Sequence, residues 1–188
     1  MVLIESKRAA ITSSKIFINA SHNFYISQEQ VQTLGDKEFL SASYRRFFRM
    51  KQFVSKRQMV KDSYATYLRY KFKIEDYELK RKKVLPDCHS SATDFRTAVR
   101  NSLQFMIRAF SFGDEYTAEM VTDSYKCKKI LKNLLTVDYH RNRLINRSSK
   151  MYAYYRRDFK FLSDDRNYGL RQYEENLMRL NESLGTRL

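Results

Sequence analysis

Glycine and proline are scarce in this chain, which has 4 glycines and 1 proline among 188 residues. β-Sandwiches and β-barrels need many tight turns, and tight turns depend on these two residues. The scarcity therefore argues against an all-β fold and favours long helices joined by short polar loops. Tryptophan is absent, so 14 tyrosines and 13 phenylalanines must supply the large aromatic side chains of the core. We predict a mainly α fold.

Other features that the sequence lacks narrow the function. Two cysteines, Cys88 and Cys127, are too few for a disulfide framework of the secreted type, so we expect a reducing compartment. No apolar run approaches the roughly 20 residues of a membrane-spanning helix, and we predict no membrane span. Three scattered histidines and the lack of nucleophile-elbow or phosphate-loop motifs indicate no catalytic residues and no metal site. We therefore predict a non-enzymatic protein without a covalently bound cofactor.

Positive charge is concentrated in less than a quarter of the chain. The whole sequence has 36 lysines and arginines against 21 acidic residues, a net charge of +15. Residues 41–83 contain 14 of these cations against 4 acidic residues, a surplus of 10. An acidic protein, a nucleic acid or an anionic lipid surface would each suit such a segment, and composition does not choose among them.

The length suits one domain, and we predict a flexible amino-terminal tail over residues 1–38 followed by a single helical domain over residues 39–188. Residues 1–28 are rich in serine, carry Lys7, Arg8 and Lys15, and contain Glu5 as their one acidic residue before Glu29. This composition fits a mitochondrial transit peptide and hence the mitochondrial matrix. A disordered tail without a targeting role is the alternative interpretation.

Apolar periodicity predicts five helical segments after residue 38. The first begins near residue 39, and the second runs from about 58 to 83. The third follows Ser91 as a capping residue, the fourth extends from 117 to about 145, and the fifth lies at the carboxyl end. The stripe predicted to pack in the last helix is Leu170, Tyr173, Leu177, Leu180 and Leu184. The adjacent acids Glu174 and Glu175 are interpreted as solvent-exposed.

The first of these helices carries the candidate binding residues. Its inward stripe contains Leu40, Tyr44, Phe47, Phe48 and Val54, and it is flanked by Arg45, Arg46 and Arg49. Arg45 and Arg49 are four residues apart, so they project from one face. Each guanidinium there can engage a carboxylate or a phosphate. An amphipathic helix with a solvated basic edge is the plainer interpretation.

The segment SYRRFFRM, followed by KQFVSKRQMVKDSYATYLRYKF, resembles the opening of the mitochondrial LYR-motif family. That family consists of small helical bundles with a Leu-Tyr-Arg signature, a further arginine four residues on and a phenylalanine in the second helix. Tyr44, Arg45, Arg49 and Phe72 match this pattern, whereas Ser43 replaces the leucine. The resemblance implies a LYR-like three-helix bundle elaborated by additional C-terminal helices.

The same resemblance implies a partner, mitochondrial acyl carrier protein, whose acylated phosphopantetheine inserts its chain between the helices. Tyr44, Arg45 and Arg49 would then hold the acidic helix and the phosphate of the carrier. The implied acyl-chain pocket consists of Phe47, Phe48, Tyr64, Leu68 and Phe72. A strongly basic segment beside an aromatic interior suits this task.

Three further blocks resemble the yeast family called increased recombination centers protein nineteen. They are RRFFRMKQFVSKRQMVKDSYATYLRYKFKIEDYELKR, CKKILKNLLT from Cys127 to Thr136, and the closing LNESLGTRL. This resemblance implies a non-enzymatic protein connected with sporulation, maintenance of mitochondrial DNA and genome integrity.

Direct nucleic-acid binding by the basic aromatic segment 45–83 is the alternative function. Its cations would neutralise phosphates and its tyrosines would stack on unpaired bases. We rank it below binding of a protein partner, because Tyr44, Tyr64 and Tyr67 are expected to face inward and few aromatic rings would remain for stacking.

Overall fold

The computed structural model describes residues 2–5, 9–12, 16–18, 24–86, 93–110, 118–147 and 168–188, with side chains over 24–86, 93–110, 123–141 and 168–188. Three short strands come first: β1 (Val2–Glu5), β2 (Ala9–Thr12) and β3 (Ile16–Ile18). The helices are α1 (Gln28–Thr33), α2 (Asp36–Arg49), α3 (Lys51–Val54), α4 (Gln58–Lys73), α5 (Tyr77–Val84), α6 (Phe95–Phe110), α7 (Ala118–Arg147) and α8 (Tyr168–Leu184). The prediction of a mainly α fold is confirmed.

The strands form an antiparallel sheet in the order β1-β2-β3. Ile4 pairs with Ile11 and Ala10 with Phe17, and the register shifts between Val2 and Ile4. This sheet lies within the segment for which the sequence analysis predicted a flexible tail.

The core is built where α2, α4, α6 and α7 pack against one another. Its largest fully buried side chains are aromatic or long apolar residues, among them Phe39, Met50, Tyr64, Leu68, Leu103 and Met106. Phe24, Ile26 and Val31 belong to the same cluster. The packed unit therefore includes residues that precede residue 39, the boundary expected from the sequence.

Helix ends depend on polar side chains that accept backbone hydrogen bonds. Ser27 and Gln30 form a reciprocal capping box at α1. Asp94 accepts from the first turn of α6, at 3.1 Å from Arg96 N; Ser91, the predicted capping residue, lies outside the described residues. Asp76 caps α5 by accepting from Leu79 N at 3.0 Å.

The cap at Asp76 corrects one prediction. A single helix was expected from about 58 to 83, but α4 ends at Lys73 and α5 begins at Tyr77. The three residues between them turn the chain, because Asp76 satisfies the start of a new helix. Glu75 in this turn and Lys80 on α5 both have buried side chains.

The stripe predicted for α8 is also partly wrong. Leu177 is buried as expected, but Leu184 is 44% exposed. Glu174, Met178 and Asn181 are instead fully buried. The inward face of α8 therefore includes the polar residues Glu174 and Asn181, which have buried partners. Helix α8 packs on α5 through this face. Among the described helices, none has both the length and the apolar character that crossing a bilayer requires.

Candidate functional site

A cavity of about 460 Å³ lies between α2, α4, α5 and α6 and the residues that follow α8. Its apolar wall includes Leu40, Phe47, Leu68, Phe72, Phe95, Val99 and Met106, with Tyr67 and Tyr77 beside them. Its charged wall consists of Lys71, Lys73, Glu75, Asp76, Glu78 and Arg187. The volume falls within the range of small-molecule sites, and so does the combination of an apolar interior with a few polar groups.

Arg187 forms part of the cavity wall through contacts with two aromatic rings. Its guanidinium carbon lies 4.4 Å from the centre of the Tyr77 ring and 4.7 Å from that of Phe95. Its Nη2 pairs with Glu78 Oε1 at 2.5 Å. These contacts fasten the end of the chain to α5 and α6, so three residues hold Arg187 in its place in the cavity wall.

The structure brings together three of the five predicted pocket residues. Phe47, Leu68 and Phe72 line the cavity. Tyr64 lies in the core instead, where its hydroxyl donates to the Phe47 carbonyl oxygen at 2.9 Å. Burial raises its pKa well above the ordinary value. Phe48 is 38% exposed and lies on the outer side of α2.

The predicted partner-binding residues lie on the outside of α2. Tyr44 is half-buried, with its ring 5.8 Å from Phe48 and 5.5 Å from Phe72, centre to centre. Arg45 and Arg49 are exposed. Because Phe72 lines the cavity, Tyr44 connects the cavity wall with the surface of the helix that presents the two arginines.

Arg46 differs from Arg45 and Arg49, with which it was predicted to flank the inward stripe of α2. Its side chain is buried, and it donates to the Tyr25 carbonyl oxygen at 2.9 Å and to Gln30 Oε1 at 3.1 Å. A third bond reaches the Ala42 carbonyl oxygen at 3.2 Å. Burial, followed by the neighbouring Arg49, lowers its pKa. Arg46 thus holds the segment before α2 onto the core.

A buried charge cluster lies next to the cavity and consists of Lys71, Glu75, Lys80, Arg141 and Glu174. Lys71 pairs with Glu75, and Lys80 Nζ lies 3.1 Å from Glu75 Oε1 and 2.8 Å from Glu174 Oε2. Arg141 Nη2 lies 2.5 Å from Glu174 Oε1. The cluster links α4, the turn after it, α5, α7 and α8, so it fixes the positions of elements that surround the cavity.

Burial disfavours the charged forms of the side chains in this cluster. For the two acids, the ion pairs outweigh the effect of burial on the pKa. Burial alone would raise the pKa of Glu174, but Lys80 and Arg141 lower it to about 2. For Lys71, burial dominates and lowers the pKa even though Glu75 acts in the opposite direction. Lys71 and Glu75 are also cavity residues.

The sequence analysis missed this cluster because it interpreted Glu174 and Glu175 as solvent-exposed. A signal was present: Glu174, Leu177, Met178 and Asn181 are spaced by three, one and three residues, as on one face of a helix. An acid inside such a face indicates a buried ion pair when cations are available elsewhere.

Comparison with known proteins identifies the family. The profile of the family described as Increased recombination centres protein 19 matches residues 4–188. A protein named Increased recombination centers protein 19 from Kluyveromyces lactis is 66% identical, with all of both chains covered.

Two more distant relatives bear the same name. The one from Vanderwaltozyma polyspora is 32% identical over 100% of this chain and 97% of its own. The one from Saccharomyces cerevisiae is 33% identical over 77% of this chain and 72% of its own. No solved structure matches this chain. The chain therefore belongs to the increased recombination centers protein 19 family.

Proposed function

We propose that this protein is a non-enzymatic, LYR-like adaptor that binds acylated acyl carrier protein in the mitochondrial matrix. Through that partner it would act in maintenance of mitochondrial DNA, in sporulation and in genome integrity. The shared name of its relatives, which refers to increased recombination centers, supports the connection with genome integrity.

The observation that carries the adaptor proposal is the position of α2 between a basic surface and an apolar cavity. Leu40 and Phe47 of α2 line the cavity, and Arg45 and Arg49 of the same helix are exposed. Tyr44 lies between them in contact with Phe72. An acidic partner docked on the arginines would bring a tethered chain close to the cavity, and complementary charge would speed that encounter.

The proposal is tested by mild affinity purification of the tagged protein from mitochondria, with mass spectrometry of its partners before and after nuclease treatment. We expect acyl carrier protein to be recovered and to resist nuclease. The double variant Arg45→Ala/Arg49→Ala should lose most of it, because both guanidinium contacts disappear.

A matched control removes equal charge from another exposed position. Lys56 and Arg57 are exposed in the loop before α4, and Lys56→Ala/Arg57→Ala should retain the carrier. The adaptor proposal fails if the carrier is absent from the wild-type preparation, or if both double variants retain it equally.

Direct nucleic-acid binding by segment 45–83 is the second candidate, and the exposed Arg45, Arg49 and Arg69 favour it. The buried rings of Tyr64 and Tyr67 count against base stacking. Affinity for DNA that falls steeply with salt would support this function, and no binding at low salt would exclude it.

A further inference from the structure

A second positively charged surface lies on α7, away from the cavity and from α2. It consists of five exposed residues, Tyr125, Lys126, Lys128, Lys129 and Lys132, and we call it the lysine face. These residues occupy about 10 Å of helix. The opposite side of α7 packs on α4 and α6. Four positive charges therefore lie at the surface within two turns of one rigid element.

Acidic residues do little to neutralise the lysine face. Asp138, the one acid between Tyr125 and His140, is only 6% exposed. Among the described residues, the carboxylate that pairs with a lysine of this face is Asp123, at 3.8 Å from Lys126 Nζ. Like charges three and four residues apart on a helix repel each other, and an anion bound to the face would relieve that repulsion.

An additional cation lies at the edge of the lysine face. Arg108 of α6 is exposed, and its carbonyl oxygen accepts from Ser124 Oγ at 2.7 Å. This bond fastens the turn before Tyr125 to α6. The positive surface thus continues from α7 onto the end of the neighbouring helix, and its backbone is held in place without any help from the exposed side chains.

Tyr125 gives the lysine face an aromatic group. Its side chain is 57% exposed, and Lys129 Nζ lies 4.6 Å from the centre of its ring. Tyr64 and Tyr67 of segment 45–83 are buried instead, which counts against base stacking there. On α7 the ring and the cations are exposed side by side, and this combination is the one that proteins use to bind single-stranded nucleic acid.

The composition of the lysine face favours a nucleic acid over other anionic partners. Lysine is depleted in the interfaces between proteins, where arginine is preferred. A helix that lies in a membrane surface needs an apolar face toward the lipid, and the exposed apolar faces of such helices carry several large side chains. Tyr125 is the one exposed large hydrophobic residue of α7 within residues 123–141. Phosphates suit the lysines, and an unpaired base suits the ring.

We propose that the lysine face of α7 binds single-stranded nucleic acid, with its lysines on successive phosphates and Tyr125 stacked on an unpaired base. This inference goes beyond the proposed function and does not depend on it, because it uses neither the cavity nor the arginines of α2. It also differs from nucleic-acid binding by segment 45–83, since it places the contact on another helix.

The test measures fluorescence anisotropy of a short labelled oligodeoxythymidylate as the purified full chain is added, over a series of salt concentrations. We expect the affinity to fall as salt rises, because bound phosphates release their counterions. The duplex of this strand with oligodeoxyadenylate should bind less tightly than the single strand, because its bases are already stacked on one another and cannot stack on Tyr125.

Two kinds of variant separate the charge from the ring. Lys128→Gln/Lys132→Gln should weaken binding roughly tenfold at low salt and make the slope of log affinity against log salt shallower by about 1.4, about 0.7 for each lysine. Tyr125→Ala should also weaken binding roughly tenfold, but it should leave the slope unchanged, because stacking involves no counterion. Tyr125→Phe keeps the ring and should bind as the wild type does.

A charge-matched control uses exposed cations of other helices. Lys37→Gln/Arg179→Gln removes the same charge from α2 and α8 and should change the affinity much less than the α7 double variant. Circular dichroism checks that every variant is folded. Equal losses in the two double variants would mean that binding follows net charge alone, and they would overturn the inference. A Tyr125→Ala variant with wild-type affinity would overturn it as well.

Two further results would assign the lysine face or the nucleic acid elsewhere. A loss of oligonucleotide affinity confined to Arg45→Ala/Arg49→Ala would place nucleic-acid binding on segment 45–83. Sedimentation with vesicles of phosphatidylcholine and phosphatidylserine, but no oligonucleotide binding at low salt, would identify a membrane surface. Either result would refute the inference, and neither would affect the recovery of acyl carrier protein by which the adaptor function is tested.

Discussion

The buried charge cluster and the outer face of α2 contain the same kinds of residue under opposite conditions. Glu174 is 1% exposed and has two cations within 3 Å. Arg45 and Arg49 lie in water on α2. Removal of one member of a buried ion pair leaves an uncompensated charge, whereas surface charges contribute little to stability. The cluster thus maintains the architecture, whereas the two arginines lie at the surface of α2.

The largest effect that would expose this contrast comes from neutralising the centre of the cluster. Glu174→Gln should lower the free energy of unfolding by about 3 kcal/mol or more, because Lys80 and Arg141 lose a shared carboxylate inside the protein. Urea unfolding followed by circular dichroism measures the loss.

The adjacent residue provides the control. Glu175 is only partly buried and lies 3.9 Å from Arg171, so Glu175→Gln should change stability by about 0.5 kcal/mol at most. Equal losses in the two variants would refute the assignment of a structural role to the cluster.

A second effect, of similar or smaller size, is the pH dependence that Glu174 contributes. Its pKa is lowered from 4.5 to about 2 in the folded protein. A lowered pKa means that the stabilisation is complete above about pH 4.5 and is lost as the pH falls through about 2. The difference corresponds to about 3 kcal/mol.

The measurement compares wild-type protein with Glu174→Gln by urea unfolding at a series of pH values from 6 downward. Other carboxylates titrate in both proteins, so the relevant quantity is the gap between the two unfolding free energies. We expect that gap to narrow as the pH falls below about 4.5. A gap of constant size would show that the carboxylate titrates normally when folded.

The contrast between cluster and surface also explains what could be predicted from the sequence. Apolar periodicity identified α6, in which Val99, Leu103, Met106 and Phe110 are all buried. Periodicity failed for α8, because Glu174 and Asn181 face inward. A hydrophobic pattern assigns polar residues to the surface. It therefore cannot identify a helix face on which polar residues are buried in ion pairs and hydrogen bonds.

The candidate site was predictable to a similar extent. The LYR resemblance implied a pocket that includes Phe47, Leu68 and Phe72, and these three residues do line the cavity. The charged wall was not foreseen, because Glu75 and Asp76 reach it only through the turn that separates α4 from α5. The wall contributed by Arg187 depends on its contact with Glu78, 109 residues away in sequence, which no local pattern encodes.

A smaller effect separates two consecutive arginines. Arg46→Ala should cost about 2 kcal/mol, because the Tyr25 carbonyl and Gln30 lose a buried, charged donor. Arg45→Ala should stay within about 0.5 kcal/mol of the wild type, because Arg45 is exposed. Urea unfolding of both variants checks the pair, and similar losses would mean that Arg45 also has a structural role.

The smallest effect compares two tyrosines of α4. Tyr64→Phe should cost about 1 kcal/mol, since it deletes the bond to the Phe47 carbonyl oxygen. Tyr67→Phe should be neutral or slightly stabilising in the ligand-free protein, because its hydroxyl is buried without a hydrogen-bond partner among the described residues. Thermal and urea unfolding of the two variants give the sign directly. A loss in Tyr67→Phe as large as that in Tyr64→Phe would show that the Tyr67 hydroxyl also has a hydrogen-bond partner in the folded protein.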